Sequence, residues 1–159
     1  MAKHVWTVLC RRGVVDQFTN NASIFDVLED VTVVPKTPIE AHKWTHIPLD
    51  STIVTFVVRS DPNVPEQTRL KITTVAPNGE PYEESPIIPI DLREHLRARQ
   101  FLQSGSLPFR GVGTYKWIFF LEDSTGAWDQ VAEIPLDIKL GADASSEAAK
   151  QKPSSKAKA

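Results

Sequence analysis

Residues 114–140, TYKWIFFLEDSTGAWDQVAEIPLDIKL, decide the fold class. From Ala132 to Leu140 the even positions Ala132, Ile134, Leu136, Ile138 and Leu140 are apolar. The odd positions are Glu133, Pro135, Asp137 and Lys139. A side-chain repeat of two puts one set against a core and the other in water. Tyr115 to Leu121 is apolar on both faces, which suits a strand in the middle of a layered β-structure. Between the two runs, Glu122-Asp123-Ser124-Thr125-Gly126 supplies turn chemistry, with Gly126 free to take a positive φ. The stretch predicts a β-hairpin that contributes two central strands of an all-β domain.

Upstream, Gly113-Thr114-Tyr115-Lys116-Trp117 has the pattern of a tyrosine corner, in which a tyrosine entering a strand bonds its hydroxyl to nearby backbone. Gly105–Gly113 reads as a loop. Asp91–Arg99 fits two states. As a helix it would start at Asp91 with Glu94 three residues on. As a strand it sets Leu96, Ala98 and Leu102 against Arg97, Arg99 and Phe101, and the shortness of the run favours the strand. Pro81–Pro89 carries three prolines and reads as an edge or irregular segment. Arg69–Val75 and Thr52–Arg59 read as strands joined through Asp61-Pro62-Asn63. Pro77-Asn78-Gly79-Glu80 is a turn. A loop begins at Pro35 and runs to about Asp50. Ser23–Val34 has apolar residues at helical spacing but is rich in valine, and strand is favoured. Val5–Val15 is a strand, and Asp16–Asn21 turns the chain.

The totals bound the answer. At 159 residues the chain has room for one domain and a tail. A net charge of −2 gives no overall call on nucleic acid or an acidic membrane. Cys10 is the single cysteine, so no intramolecular disulfide forms, and a cytoplasmic setting is the default. The N-terminal apolar run is broken at once by Arg11 and Arg12, which argues against a signal peptide or a membrane span. From Gly141 the composition holds no large apolar residue. Residues 1–140 are therefore expected to form the domain and 141–159 a disordered Ala/Lys/Ser-rich tail bearing Lys150, Lys152, Lys156 and Lys158.

The N-terminal run VLCRRGVVDQFTNNASIFDVLEDV resembles an uncharacterised bacterial family of small proteins catalogued as a domain of unknown function. The resemblance rests on Val14 or Val15, Asp16, Ser23, Ile24, Phe25 and Val27, with the later Gly113-x-Tyr115 strand and the closing alternating strand. It implies a C2-like or immunoglobulin-like β-sandwich and no assigned activity.

Candidate chemistry is sparse. His42 and His46 flank Trp44, and on a strand the three share a face. Zinc asks for a third protein ligand, and no accompanying Cys or HExxH supplies one. An exposed loop with Trp44 tucked onto the domain is the simpler reading. Asp61, Glu122, Asp123 and Asp129 lie in or near turns but form no calcium-loop pattern. Cys10, inside a strand, suits a small apolar role. No nucleophile elbow or phosphate loop is present, so an enzyme, a cofactor and a metal are not expected. Arg97, Arg99 and Phe101 form a basic and aromatic strand face. The expected architecture is a single antiparallel β-sandwich of seven or eight strands. The expected function is a non-enzymatic binding or scaffold module acting on another protein through loops or a sheet edge. The alternative is a nucleic-acid-associated accessory protein using the tail and the arginine-rich strand.

Overall fold

The computed structural model describes residues 2–34, 43–82 and 86–141. Among them nine strands and no helix form: β1 (Lys3–Val15), β2 (Ala22–Val27), β3 (Asp30–Val33), β4 (Thr45–Val58), β5 (Gln67–Val75), β6 (Ile87–Asp91), β7 (Arg97–Phe109), β8 (Gly113–Glu122) and β9 (Trp128–Leu140). They make two curled sheets, one ordered β2-β1-β4-β7 and the other β3-β9-β8-β5-β6. No helix among the described residues is long and apolar enough to cross a membrane. His42 and the tail from residue 142 lie outside the described residues. Gly141 still donates its N–H to Val33 O at 2.9 Å.

The expected seven or eight strands become nine for two reasons. Ser23–Val34, read as one strand, is two strands in different sheets. Asp26 takes a φ of 54°, and the chain crosses between sheets at Leu28-Glu29. Leu28 N donates to Leu9 O in one sheet and Glu29 O accepts from Asp137 N in the other. The proline-bearing 81–89 segment leads into β6, whose Pro89 lies opposite Arg69 at the sheet edge, where a missing donor costs least. The expected antiparallel pairing holds except at β3, which runs parallel to β9 from Asp30↔Asp137 to Val33↔Leu140.

Two expected loops are strands. Thr45–Asp50 opens β4, and Gly105–Phe109 closes β7. The two pair with each other, His46 opposite Pro108 and Pro48 opposite Ser106, before a bulge between Pro48 and Ser51. β1 pairs β4 only over Thr52–Val58, so among the described residues each proline lies where its strand has a single neighbour and an open side. Asp91 does not cap a helix, and the strand favoured over Asp91–Arg99 forms only from Arg97, because Asp91 ends β6 and 92–96 turn the chain. The Asp91 carboxylate accepts the Arg93 N–H at 2.9 Å in a tight turn before β7.

The 114–140 hairpin folds as its alternation requires except at Leu140, which lies at the end of β9 and is exposed. β8 lies between β9 and β5, with Tyr115, Trp117, Phe119 and Leu121 buried. In β9, Leu136 and Ile138 are buried, and Glu133, Pro135, Asp137 and Lys139 are exposed. These residues meet Leu9, Leu49, Val57, Leu107 and Phe109 of the other sheet in one core. Tyr115 completes a tyrosine corner: its hydroxyl donates to Gly111 O at 2.7 Å and accepts from Arg110 N at 2.5 Å.

Candidate functional site

The first sheet has a second apolar face, turned away from the core. Register sets Arg97 opposite Val58, Arg99 opposite Phe56 and Phe101 opposite Val54, and Phe56 packs on Trp6 with ring centroids 5.6 Å apart. The expected common face of Arg97, Arg99 and Phe101 is therefore formed. It is largely occupied by the chain itself, because the distal half of the β1–β2 hairpin folds over it. A Cβ on Gly13 would lie 2.8 Å from Phe101 Cε1 and 2.9 Å from Val54 Cγ2, so only glycine admits this approach. Arg99 then donates to Asn20 O at 2.5 Å and to Asn20 Oδ1 at 2.9 Å. Of the pair, Arg97 alone stays exposed to solvent.

Trp44 and His46 share a face, as expected of a strand, and that face meets Tyr82. Trp44 lies 5.0 Å from the Tyr82 ring, and His46 Nε2 is 3.3 Å from its hydroxyl. Trp44 is half-buried against the core, while His46 is exposed. His42, the other histidine weighed for zinc, lies outside the described residues. Among the described residues no group of three or more His, Cys, Asp or Glu is placed to hold a metal.

The turns carrying Asp61 and Glu122-Asp123 do converge, on a cleft of about 420 Å³. Their carboxylates are committed locally. Asp61 accepts from Asn63 N at 2.9 Å, Asp123 accepts from Thr125 N, Thr125 Oγ1 and Ala127 N, and Glu122 pairs with Arg69. Those bonds hold the Glu122 and Asp123 carboxyls below their ordinary pKa, chiefly through Arg69 and the Thr125 hydroxyl respectively. Cys10 is fully buried with its thiol toward Thr52 O at 3.3 Å, and burial pushes its pKa up, away from nucleophile behaviour.

Sequence reading missed a second mixing of cations and rings, on the outer face of the other sheet. Lys71 Nζ lies 4.8 Å from the Phe120 centroid and 4.9 Å from that of Trp128, and Arg69 stands over Trp128. Residues some fifty positions apart meet there, so no local window reveals them. Of its cations, Arg69 is paired with Glu122.

The most distinctive surface is the β1–β2 hairpin itself. Phe18 at its tip is 100% exposed, and Phe25 and Val27 behind it are 51% and 58% exposed. Val14 and Val15 are partly exposed on the same hairpin. The tip is rigidly built. Asp16 Oδ1 accepts from Phe18 N at 3.0 Å, Thr19 N at 2.7 Å and Thr19 Oγ1 at 2.9 Å. The backbone closes with Asp16 N to Asn21 O at 2.9 Å and Asn20 N to Asp16 O at 2.8 Å, Asn20 at φ 55°. The Thr19 bonds hold the Asp16 carboxyl below its usual pKa. A large apolar ring is thus held out into water by a locked turn, where polar residues would serve a simple connection equally well. The signal was present in the sequence as the one aromatic residue of the DQFTNN turn.

The chain matches no protein-family model and no curated protein sequence.

Proposed function

We propose that this protein is a non-enzymatic binding module that docks another protein through the apolar ridge of its β1–β2 hairpin. The observation that carries the reading is Phe18, fully exposed on a turn locked by Asp16. Burying such a ring on a partner is worth about 1.5–3 kcal/mol. The locked turn lets little of that be lost to ordering the loop. Exposed large apolar side chains gathered on one hairpin are a mark of interaction sites, and among the described residues β2 adds the open edge of its sheet beside them.

The same proposal takes the two sheets as a β-sandwich of C2-like or immunoglobulin-like form, with the resemblance to the uncharacterised bacterial family and a cytoplasmic setting as its companions. Its support is the core shared by both sheets and the tyrosine corner at Tyr115. Protein is favoured over nucleic acid because Arg99 is spent on Asn20, which leaves Arg97 as the open guanidinium of the arginine-rich strand. The test is affinity capture from the source cells with wild type and the Phe18→Ser/Phe25→Ser double variant. A discrete partner held by wild type and lost with the variant supports the reading. Equal recovery with both refutes the ridge as the docking surface.

A further inference from the structure

On the side of the molecule where the β2–β3 crossing leaves both sheets incomplete, a cleft of about 610 Å³ opens between them. One wall is Thr7, Val8 and Leu9 of β1, the other is Glu133, Ile134 and Pro135 of β9, and Val27, Leu28 and Glu29 close one end. Each wall is a strand with an open side among the described residues. β2 pairs β1 only over Cys10–Val15, and β3 pairs β9 only over Asp137–Leu140.

The two open edges are not equivalent. Asp137 N donates outward, to Glu29 O, so by the two-residue repeat Pro135 also faces outward, where it has no N–H to offer. Proline there blunts the β9 edge. On β1, Leu9 O accepts from Leu28 N on the open side, so the same repeat turns the main-chain N–H and C=O of Thr7 outward, with no proline to protect them. The cleft floor is apolar through Leu9 and Ile134. Its charged lining residues are all acids, Glu29, Glu133 and Asp137, with no lysine or arginine among them. Lys116 balances Glu133, and Asp137 accepts from the Thr114 hydroxyl at 2.6 Å with Lys139 in electrostatic reach, so Glu29 chiefly leaves the rim negative.

We infer that this cleft takes an extended segment of a partner polypeptide in which basic residues alternate with β-branched apolar ones, added as a strand along the open edge of β1. Backbone pairing at Thr7 supplies affinity, the apolar residues fill the floor, and the basic residues meet Glu29 and Asp137. The chain's own tail satisfies only half of this. It carries four lysines but no large apolar side chain, so it can meet the rim and leaves the floor unfilled.

The test is a titration of the full-length, isotope-labelled protein with the capped hexapeptide Lys-Val-Lys-Val-Lys-Val, followed by amide chemical shifts. The expected result is shifts concentrated at Thr7, Val8, Leu9 and Ile134. Binding should weaken about tenfold or more for the Glu-Val repeat and for the peptide with alternate N-methylated amides. Glu29→Lys, on an exposed side chain, should weaken it likewise while melting as wild type does. Phe18→Ser should leave peptide binding unchanged, which separates this site from the hairpin ridge. Replacing Lys150, Lys152, Lys156 and Lys158 by Gln should also leave it unchanged. Absence of shifts in the cleft at about 1 mM peptide overturns the inference. Equal binding of the acidic or N-methylated peptide does the same. A gain in affinity on removing the tail lysines means that the tail is the occupant, and overturns it too.

Discussion

Replacing Tyr115 by Phe removes one oxygen and leaves two main-chain groups without their partner. Tyr115 is fully buried, and its hydroxyl serves both Gly111 O at 2.7 Å and Arg110 N at 2.5 Å. A buried group stripped of its partner costs about 1–3 kcal/mol. Arg110 and Gly111 are half-buried, so water recovers part of the loss, and a total of about 2 kcal/mol is expected. At about 2–4 °C per kcal/mol for a domain of this size, that is a fall in Tm of about 4–8 °C. The hydroxyl also has a pH signature. Burial raises the Tyr115 pKa above its ordinary value, so the stability it confers is full below about pH 10 and is lost as pH rises through the folded-state value. The Phe variant has no such group, so the stability gap between the two proteins should narrow above about pH 10. Urea unfolding followed by tryptophan fluorescence at neutral and alkaline pH measures both effects. A Phe variant that melts within a degree of wild type would refute the corner as a stabilising device.

Trp117→Ala should destabilise by about 3–5 kcal/mol, since Trp117 is 3% exposed in the shared core; a melting point within a degree or two of wild type would contradict its burial. The Asp16, Asp91, Glu122 and Asp123 carboxyls are all held below their ordinary pKa, Asp91 chiefly by Arg93. Their contribution is therefore present above the ordinary carboxylate range and lost as pH falls through and below it. Asp91→Asn should flatten that acid limb in thermal melts at low salt, and an unchanged limb would count against the Arg93 pairing. Phe18→Ser should leave stability within about 0.5 kcal/mol of wild type by differential scanning calorimetry, because its ring touches only water. A fall of several degrees would mean the tip packs on something.

What could be read from the sequence was what local pattern controls. The β9 alternation, the two-faced β8 and the tyrosine corner each lie within one window, and each folds accordingly. The split of β2 from β3 was hidden because a valine-rich run looks continuous, while the crossing at Leu28-Glu29 is set by two hydrogen bonds to strands far away in sequence. Pro48, Gly105 and Pro108 fall in segments that read as loops, yet they sit where, among the described residues, β4 and β7 have only each other as neighbours. Gly13 gave no local sign that it admits Phe101, and Arg99 none that Asn20 would claim it. The β1–β9 cleft joins residues 7–9, 27–29 and 133–135, which only the topology brings together. Phe18 was visible but was read for its polar neighbours.

The most direct measurement on the binding reading is site-specific photocrosslinking in the source cells. A photoreactive phenylalanine analogue replaces Phe18, and in a separate protein replaces Ser124, an exposed turn residue of the β8–β9 hairpin. Position 18 should give a discrete adduct with one partner protein that Phe25→Ser diminishes, while position 124 gives none. No adduct from position 18 above that at position 124 would contradict the hairpin ridge as the surface through which this protein works.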